Sequence, residues 1–281
     1  MINAAQMEAK ADAFHALHQG PGAFIIPNPW DRGSARILAH LGFKALATTS
    51  MGYAFSIGQR DNSLTREQTL ANAADIAAAT DLPVNADLEN GFGDAPEDVE
   101  ETVRLVPATG IVGGSIEDAS GRDDAPIYDL GLAKARIEAA AAAARSLPYK
   151  FTLTARAENY LWGRPDLDDT IKRLQAYQDA GADILYAPGL RSRDDIAAVV
   201  SSLDRPVNVV MGLVGAQLGL EELSKIGVKR ISLGSSLQRA ALGEFVRAAR
   251  EMRDQGTFTF AAKAAAPKEM TAIFDSFPRD R

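Results

Sequence analysis

Short apolar segments alternate with longer segments of helical periodicity along almost the whole chain. Eight of the apolar segments have the length and the β-branched content of buried strands, and a turn and a helix-like stretch follow each of them. The predicted strands are Ala23–Pro27, Lys44–Thr49, Pro83–Asp87, Ile111–Glu117, Lys150–Arg156, Asp183–Ala187, Pro206–Val210 and Lys229–Gly234. Eight β/α units predict an α/β fold, a (β/α)8 barrel of the TIM type, with a doubly wound open sheet as the alternative.

Helix-start signals fall where this repeat requires them. Thr65 and Gln68 form a capping-box pattern ahead of the helix that runs to Ala79. After the third strand, Asp94 and Glu97 are predicted to be the N-cap and N3 residues of the next helix. Repeated phrases such as LGFKAL and IGVKRI join a helix end, a glycine and a strand, as expected for αβ turns.

Both ends of the chain lie outside the β/α repeat. Residues 1–22 predict an extra N-terminal helix, and residues 257–281 predict a C-terminal helical appendage. No linker or change of composition divides the chain, so residues 1–281 are predicted to form one domain. An apolar appendage outside a completed barrel must be buried, and a neighbouring subunit is the predicted place. The apolar side chains of the appendage are Phe258, Phe260, Met270, Ile273 and Phe274.

Charge and composition narrow the classes of partner. The 281 residues carry a formal net charge of −7, which argues against nucleic acid or an anionic membrane as a partner. The sequence contains no cysteine, which excludes disulfides, thiolate nucleophiles, thiolate zinc sites and iron–sulfur clusters. Because no apolar run has membrane-spanning length and no signal-peptide core is visible, a cytoplasmic protein is expected.

The stretch from Pro83 to Gly93 carries the most suggestive chemistry. Asp87 and Glu89 follow a buried strand and precede a glycine-rich turn, at the carboxyl end where α/β folds place their active sites. In extended backbone, residues two apart leave the same face. Two such carboxylates repel unless a cation lies between them or one is protonated. A solvated acidic loop is the plain alternative.

Neighbouring predicted strands add to this acidic set. Glu117 and Asp118 lie at the carboxyl end of the fourth strand, Arg156 and Glu158 lie at that of the fifth, and Asp61 lies in the loop after the second. Oxygen ligands without histidine or thiolate favour a hard cation, Mg²⁺ first and Mn²⁺ second. A turn cap at Asp61, a surface pair at Glu117 and Asp118, and a structural bridge from Arg156 are the alternatives.

Five segments in this order and spacing resemble the isocitrate lyase/phosphoenolpyruvate mutase superfamily, from about Gly22 to Arg253. The segments are TTSMGYAFSIGQRD (48–61), NADLENGFG (85–93), GSIEDA (114–119), TARAEN (154–159) and YQDAGADILYAPG (177–189). The resemblance implies a (β/α)8 barrel, a Mg²⁺ site and 2-oxo acid chemistry through an enolate. It also implies a homotetramer whose C-terminal helices swap between partners, which would account for the apolar tail.

The resemblance also implies roles for individual positions. Substrate-binding residues would be Thr49, Ser50 and Met51, which match a loop whose backbone amides hold the substrate carboxylate. Asp61 and Arg156 would be catalytic, with Arg156 also contacting the oxygens of the substrate. The metal would be held, directly or through water, by Asp87, Glu89 and Glu117.

The chain departs from the family pattern where the reaction is selected. Isocitrate and methylisocitrate lyases carry a cysteine on a lid, and the mutase lid has lysines and an asparagine. The matching segment here is ASGRDDAPIYDL, residues 119–130, which has neither. The expected function is Mg²⁺-dependent cleavage or formation of a C–C bond in a small 2-oxo or 2-hydroxy acid. Phosphorus–carbon chemistry and a non-catalytic 2-oxo acid binder are the alternatives.

Overall fold

The computed structural model describes residues 3–213 and 217–278. Within these ranges eight parallel strands alternate with eleven α-helices. The strands are β1 Phe24–Ile26, β2 Leu46–Ala47, β3 Val84–Asp87, β4 Gly113–Glu117, β5 Thr152–Arg156, β6 Ile184–Tyr186, β7 Val207–Val210 and β8 Arg230–Ser232. The helices are α1 Ala4–Gln19, α2 Arg32–His40, α3 Ser50–Ser56, α4 Arg66–Ala79, α5 Pro96–Leu105, α6 Leu130–Arg145, α7 Leu167–Asp179, α8 Arg193–Ser201, α9 Leu220–Ile226, α10 Ser236–Gln255 and α11 Pro267–Asp275.

The strands close into a barrel. Their order is β1-β8-β7-β6-β5-β4-β3-β2, and every hydrogen-bonded neighbour is parallel. The remaining gap, between β1 and β2, is crossed by a hydrogen bond of 3.0 Å from Ala47 N to Pro27 O. The predicted (β/α)8 barrel is therefore confirmed, and the open doubly wound sheet is wrong.

Helix α1 covers the amino end of the barrel. The side chain of Phe14 is fully buried, and a Cβ atom built on Gly113 would lie 2.8 Å from Phe14 Cε1. The ring centroid of His18 lies 5.0 Å from that of Phe24 at the start of β1. The glycine at 113 thus answers a packing requirement inside the barrel, because a side chain there would collide with the helix that closes it.

Two predicted helix starts have different outcomes. The capping box of Thr65 and Gln68 is present at the start of α4 and confirms the prediction. The prediction of Asp94 as the N-cap of α5 is wrong, since the helix begins one residue later, after Ala95. The N3 residue is Asp98, not Glu97, and its carboxylate accepts a 3.0 Å hydrogen bond from Ala95 N. A proline at the first helical position fixes the start there.

The described part of the C-terminal appendage follows α10 and consists of a short 3₁₀ turn, Thr259–Lys263, and α11. Helix α10 is amphipathic but exposed, with Phe245 at 69% of its full accessibility. Helix α11 packs back on α2 of the same chain, where Ile273 is buried and His40 Nδ1 lies 3.4 Å from Ser276 Oγ. Across the described ranges, no helix combines the length and the apolar character needed to cross a membrane.

Candidate active site

A cavity of about 440 Å³ opens at the carboxyl end of the barrel and extends down into its interior. It is called the main cavity below. The ends of β3, β4 and β5 and the loops after β2 and β5 supply five of its charged side chains, because the carboxyl ends of parallel strands meet at one end of the barrel. These side chains are Asp61, Asp87, Glu117, Arg156 and Glu158.

Arg156 lies at the centre of this charged set. Its Nη1 atom lies 3.0 Å from Asp87 Oδ1 and 3.0 Å from Glu117 Oε2. Its Nε atom donates a 2.8 Å hydrogen bond to Glu158 Oε1. One guanidinium therefore bridges carboxylates from the ends of β3 and β4 and from the loop after β5. The structural bridge considered for Arg156 exists, and it lies inside the main cavity.

Burial sets the protonation of these acids. Removal from water raises the pKa of Glu117 well above its ordinary value, although Arg156 opposes the shift. Burial likewise raises the pKa of Glu158 to about 7. For Asp61, burial is the larger cause of a raised pKa and the neighbouring Asp87 carboxylate is the next. If all of these acids were ionised, their negative charge would exceed the single positive charge of Arg156, and burial therefore favours protonation of some of them.

Glu89 does not leave the strand beside Asp87, so the prediction of two side chains on one extended face is wrong. Strand β3 ends at Asp87, and Glu89 has φ of 48°, in the left-handed region. Its side chain turns toward a second cavity of about 550 Å³, which Glu117 also lines. There Glu89 Oε1 is buried with no hydrogen-bond partner among the described residues. Burial, followed by the charges of Asp87 and Asp61, raises the pKa of Glu89 to about 8.

The donor set fits a hard divalent cation in its chemistry. In the parts of the chain that the structure describes, no three His, Asp or Glu side chains are close enough to form a ready-made metal shell. However, Glu89 Oε1 has no hydrogen-bond partner among the described residues, and burial raises the pKa of Glu89 and, despite its contact with Arg156, that of Glu117. A cation bound there would favour the ionised form of both acids. A Mg²⁺ ion bound there would complete its shell with water or substrate oxygens, as this ion commonly does.

The loop from Thr49 to Met51 forms another wall of the main cavity. Thr49 is the N-cap of α3, and its hydroxyl accepts a 3.2 Å hydrogen bond from Gly52 N. Both the backbone N and the Oγ of Ser50 donate to Asp87 Oδ2, at 3.1 and 2.8 Å. Met51 Sδ accepts from Ser235 Oγ at 3.0 Å. In this state the Ser50 amide therefore orients Asp87.

Asp118 points away from the main cavity, so the surface pair considered for Glu117 and Asp118 is wrong. Asp118 is buried between β4 and α7, where Oδ2 accepts from Tyr177 Oη at 2.5 Å and from Arg173 Nη1 at 3.1 Å. Its Oδ1 accepts from Glu158 N at 2.8 Å. This network fixes the ends of β4 and β5 and hence the side chains that face the cavity.

The segment 119–130 is tied down beside the second cavity. Tyr128 Oη donates a 2.6 Å hydrogen bond to Asp94 Oδ1 and accepts one of 3.2 Å from Asn90 Nδ2. Arg122 pairs with the same Asp94 carboxylate, and the guanidinium of the buried Arg136 lies 4.3 Å from the Tyr128 ring centroid. None of the described side chains of this segment lines the main cavity.

Two charged residues that line the main cavity, Glu158 and Arg230, were given no role by the sequence patterns. Glu158 was visible at the end of the fifth strand, yet its contact with Arg156 depends on a turn that the sequence does not specify. Arg230 lay inside the eighth predicted strand, where a charged residue in an apolar run was the available signal. Its side chain occupies the interior of the barrel.

An eight-stranded barrel with an acid–arginine cluster at its carboxyl end defines a class of α/β-barrel enzymes, and comparison with known families identifies which one. The family model described as phosphoenolpyruvate phosphomutase matches residues 14–253. The chain belongs to this family, within the isocitrate lyase/phosphoenolpyruvate mutase superfamily, as its motifs predict. The family includes lyases, decarboxylases and mutases.

Several relatives cover nearly the whole chain. One relative is a Burkholderia cenocepacia J2315 protein whose crystal structure is described as that of a lyase/mutase. It is 61% identical to this chain, with a TM-score of 0.94 over 96% of this chain and 97% of that one. The oxaloacetate decarboxylase of Bradyrhizobium diazoefficiens (strain USDA 110) is 28% identical over 94% of this chain and 92% of its own. Oxaloacetate acetylhydrolase, solved with its product oxalate, is 26% identical, with a TM-score of 0.84 over 95% and 94% of the two chains.

Proposed function

We propose that the protein is a Mg²⁺-dependent enzyme that breaks or forms a C–C bond in a small 2-oxo or 2-hydroxy carboxylic acid through a pyruvate-like enolate. The observation that carries this proposal is the position of Arg156, whose guanidinium lies between Asp87 and Glu117 in the main cavity. Such an array can bind a planar oxyanion beside a cation. Relatives named for oxaloacetate decarboxylation and hydrolysis support the class of substrate.

The residues of the chain divide the work. Asp87, Glu117 and Glu89 would hold the metal, directly or through water. A bound Mg²⁺ ion would supply a Lewis acid that stabilises negative charge developing on the substrate. Arg156 contacts Asp87 and Glu117 through Nη1 and Glu158 through Nη2, and the second N–H of Nη2 would donate to a substrate oxygen. The amides of residues 49–51 would hold the substrate carboxylate, which requires the Ser50 amide to release Asp87 Oδ2.

The segment 119–130 bears on which bond is broken. The chain has no cysteine, and Tyr128 Oη is committed to Asp94. An enolate can take its proton from water. The isocitrate lyases that this chain resembles instead carry a lid cysteine, whose thiol would act as the acid. We therefore expect little or no turnover of isocitrate and 2-methylisocitrate.

Oxalate tests the site because it mimics a planar pyruvate enolate. In a thermal-shift assay, oxalate should stabilise the EDTA-treated protein only after Mg²⁺ is restored. At a hundredfold excess over the dissociation constant, binding adds about 2.7 kcal/mol to the free energy of unfolding. The Asp87→Ala variant should remain folded, because Arg156 keeps its contacts with Glu117 and Glu158, but it should lose the Mg²⁺-dependent shift. The variant Asp81→Ala, at an exposed acid, is the matched control.

Turnover then separates the possible reactions. A panel of 2-oxo and 2-hydroxy acids should yield pyruvate-like products in the presence of Mg²⁺. Turnover of phosphonopyruvate instead would indicate phosphorus–carbon chemistry. A Mg²⁺-dependent oxalate shift with no turnover on any of these compounds would indicate a binding protein. Oxalate binding that is indifferent to Mg²⁺ or to Asp87→Ala would refute the proposed site.

A further inference from the structure

Arg230 is a buried arginine that the proposed chemistry does not use. It lies on β8, and its side chain crosses the barrel interior to β5. Its Nε donates to Asn208 Oδ1 at 2.8 Å and its Nη2 donates to Thr154 Oγ1 at 2.9 Å. The residue is 3% exposed. Its Nη1 atom is buried and has no hydrogen-bond partner among the described residues.

The charge of Arg230 also lacks a counter-ion. Within the described part of the chain no carboxylate forms an ion pair with it, and its hydrogen-bond partners are a neutral amide and a neutral hydroxyl. Burial lowers its pKa to about 10, so it stays protonated at neutral pH. Burial lowers the pKa of the neighbouring His18 to about 3, so that ring is neutral. An arginine buried without an anion is costly, and buried charges in proteins are usually paired.

The main cavity connects this guanidinium to the proposed reaction centre. Arg230 and Arg156 line the same cavity. Thr154, which binds Arg230 Nη2, lies two residues before Arg156 and faces the same side of β5. At a rise of about 3.3 Å per residue, Arg230 therefore binds β5 about 7 Å deeper than Arg156. The cavity volume of about 440 Å³ also exceeds what a pyruvate-sized molecule needs.

We infer that Arg230 binds a carboxylate on an arm of the substrate, so that the substrate is a dianionic acid whose second charge points into the barrel. This inference rests on the proposed function, which places the reacting end of the acid beside Arg156. Asn208 and Ser232, joined by a 3.0 Å hydrogen bond, supply neutral polar neighbours for the arm. The arm carboxylate is retained in a product, because a guanidinium that holds its charge would oppose its loss as carbon dioxide.

Calorimetry with small acids can test this inference. Oxalate is itself a dianion but has no arm. In 3,3-difluorooxaloacetate and 2-oxoglutarate, which are called the two dianions below, the second carboxylate is carried on a shorter and a longer arm. The acid 2-oxopentanoate has the chain length of 2-oxoglutarate without that carboxylate. In the presence of Mg²⁺, at least one of the two dianions should bind the wild-type protein more tightly than 2-oxopentanoate does.

The variants assign that gain to Arg230. Arg230→Met should weaken binding of the preferred dianion by about 10- to 100-fold, the loss of a hydrogen bond between charged groups. Oxalate affinity should change by less than about threefold, because its site lies near Arg156. Arg104→Met, which removes an exposed arginine paired with Glu100 on α5, should change neither affinity.

Direct structural evidence covers the case in which Arg230→Met does not fold. Arg230→Lys keeps the charge but loses the forked donors, and it should bind the preferred dianion with intermediate affinity. A crystal structure of the wild-type complex should place a carboxylate oxygen within hydrogen-bond distance of Nη1. A water or an inorganic anion at Nη1, with the arm directed elsewhere, would overturn the inference.

The outcomes also separate this inference from the proposed function. If oxalate does not bind in the presence of Mg²⁺, the proposed function fails. If oxalate binds but both dianions bind no better than 2-oxopentanoate, or bind equally well after Arg230→Met, only the role of Arg230 is overturned. Equal losses for oxalate and for the dianion would show that Arg230 supports the barrel and does not read the arm.

Discussion

Arg156 carries a single positive charge among three carboxylates. In the protein without a metal, this imbalance determines how readily the acids of the site are protonated. Asp87, Glu117 and Glu158 all contact its guanidinium, while Glu89 lies beyond its reach with one buried, unpartnered oxygen. Acids in that position are protonated more readily than in water. The site of the apo protein should therefore bind protons that a cation would displace.

Glu89 gives this imbalance a measurable pH dependence. Its folded-state pKa of about 8 exceeds its ordinary value of 4.5, so the folded apo protein binds an extra proton between these limits. Stability conferred by that proton is present below about pH 4.5 and is lost as the pH rises through about 8. Glu89→Gln should flatten this loss in EDTA and raise the free energy of unfolding at pH 8.5 by on the order of a few kcal/mol.

Urea unfolding from pH 5 to 9 measures the effect. Glu117 and Glu158 also have raised pKa values, so the variant should retain part of the slope. Glu67→Gln changes an exposed acid that lines the same second cavity as Glu89. It should leave the pH dependence of the free energy of unfolding over this range unchanged. Parallel curves for the wild-type protein and Glu89→Gln would mean that the carboxyl of Glu89 titrates normally.

Sequence patterns located most of the acidic cluster because it depends on where strands end. Asp87, Glu117 and Arg156 are each the last residue of a strand, and the carboxyl ends of the strands meet in any parallel barrel. The orientation of Glu89 could not be predicted, since a left-handed backbone at a non-glycine residue has no sequence signal. The contacts of Arg230 could not either, because its partner Thr154 lies across the barrel.

At the scale of elements, the eight strands were predictable because each is a short apolar run between glycine-rich turns and amphipathic helices. All eight observed strands lie within the predicted ranges. Loop structure was less accessible. The sequence assigned Asp94 to a helix cap, whereas its carboxylate receives hydrogen bonds from Tyr128 and Arg122, which approach from a different loop. Contacts between loops depend on the finished fold, and local patterns do not contain them.

These contacts predict that Tyr128 holds the segment 119–130 against the loop at residues 90–94. Tyr128→Phe removes two hydrogen bonds but keeps the ring over Arg136. Amide hydrogen exchange should accelerate within 119–128, while global stability falls by only about 1 kcal/mol.

Tyr53→Phe is a suitable comparison for that experiment, because this tyrosine lies on α3, away from the segment. Its exchange within 119–128 should match that of the wild-type protein. Unchanged exchange in Tyr128→Phe would show that the hydroxyl is not needed to hold the segment. The backbone hydrogen bonds from Ser120 N to Pro126 O and from Tyr128 N to Asp118 O would then be sufficient.

At the scale of the whole molecule, one face of the single chain leaves apolar side chains exposed to solvent. Helix α10 carries exposed apolar side chains at helical spacing, and the chain continues from it into a second exposed phenylalanine. These exposed side chains are Leu242, Phe245, Val246, Met252 and Phe258. Apolar surface of this extent commonly marks an interface between proteins. The fold of α11 onto its own α2 leaves the surface of α10 uncovered.

We predict that the protein is a homotetramer in solution and that α10 together with residues 257–281 forms the interface. Phe245→Asp with Val246→Asp should give smaller species, because burying two carboxylates among apolar side chains is unfavourable. Truncation after Gly256 should give smaller or aggregating species, since it also uncovers the apolar surface of α2 that Ile273 covers.

Light scattering coupled to size-exclusion chromatography measures the mass of each species. Arg104→Asp, a charge change on the exposed side of α5, should leave the tetramer intact. The substitutions on α10 should preserve the circular dichroism of the barrel, because those side chains contribute little to its core. A full-length monomer with the mass of a single chain would refute the interface, since the exposed phenylalanines of α10 and the tail would then be stable in water.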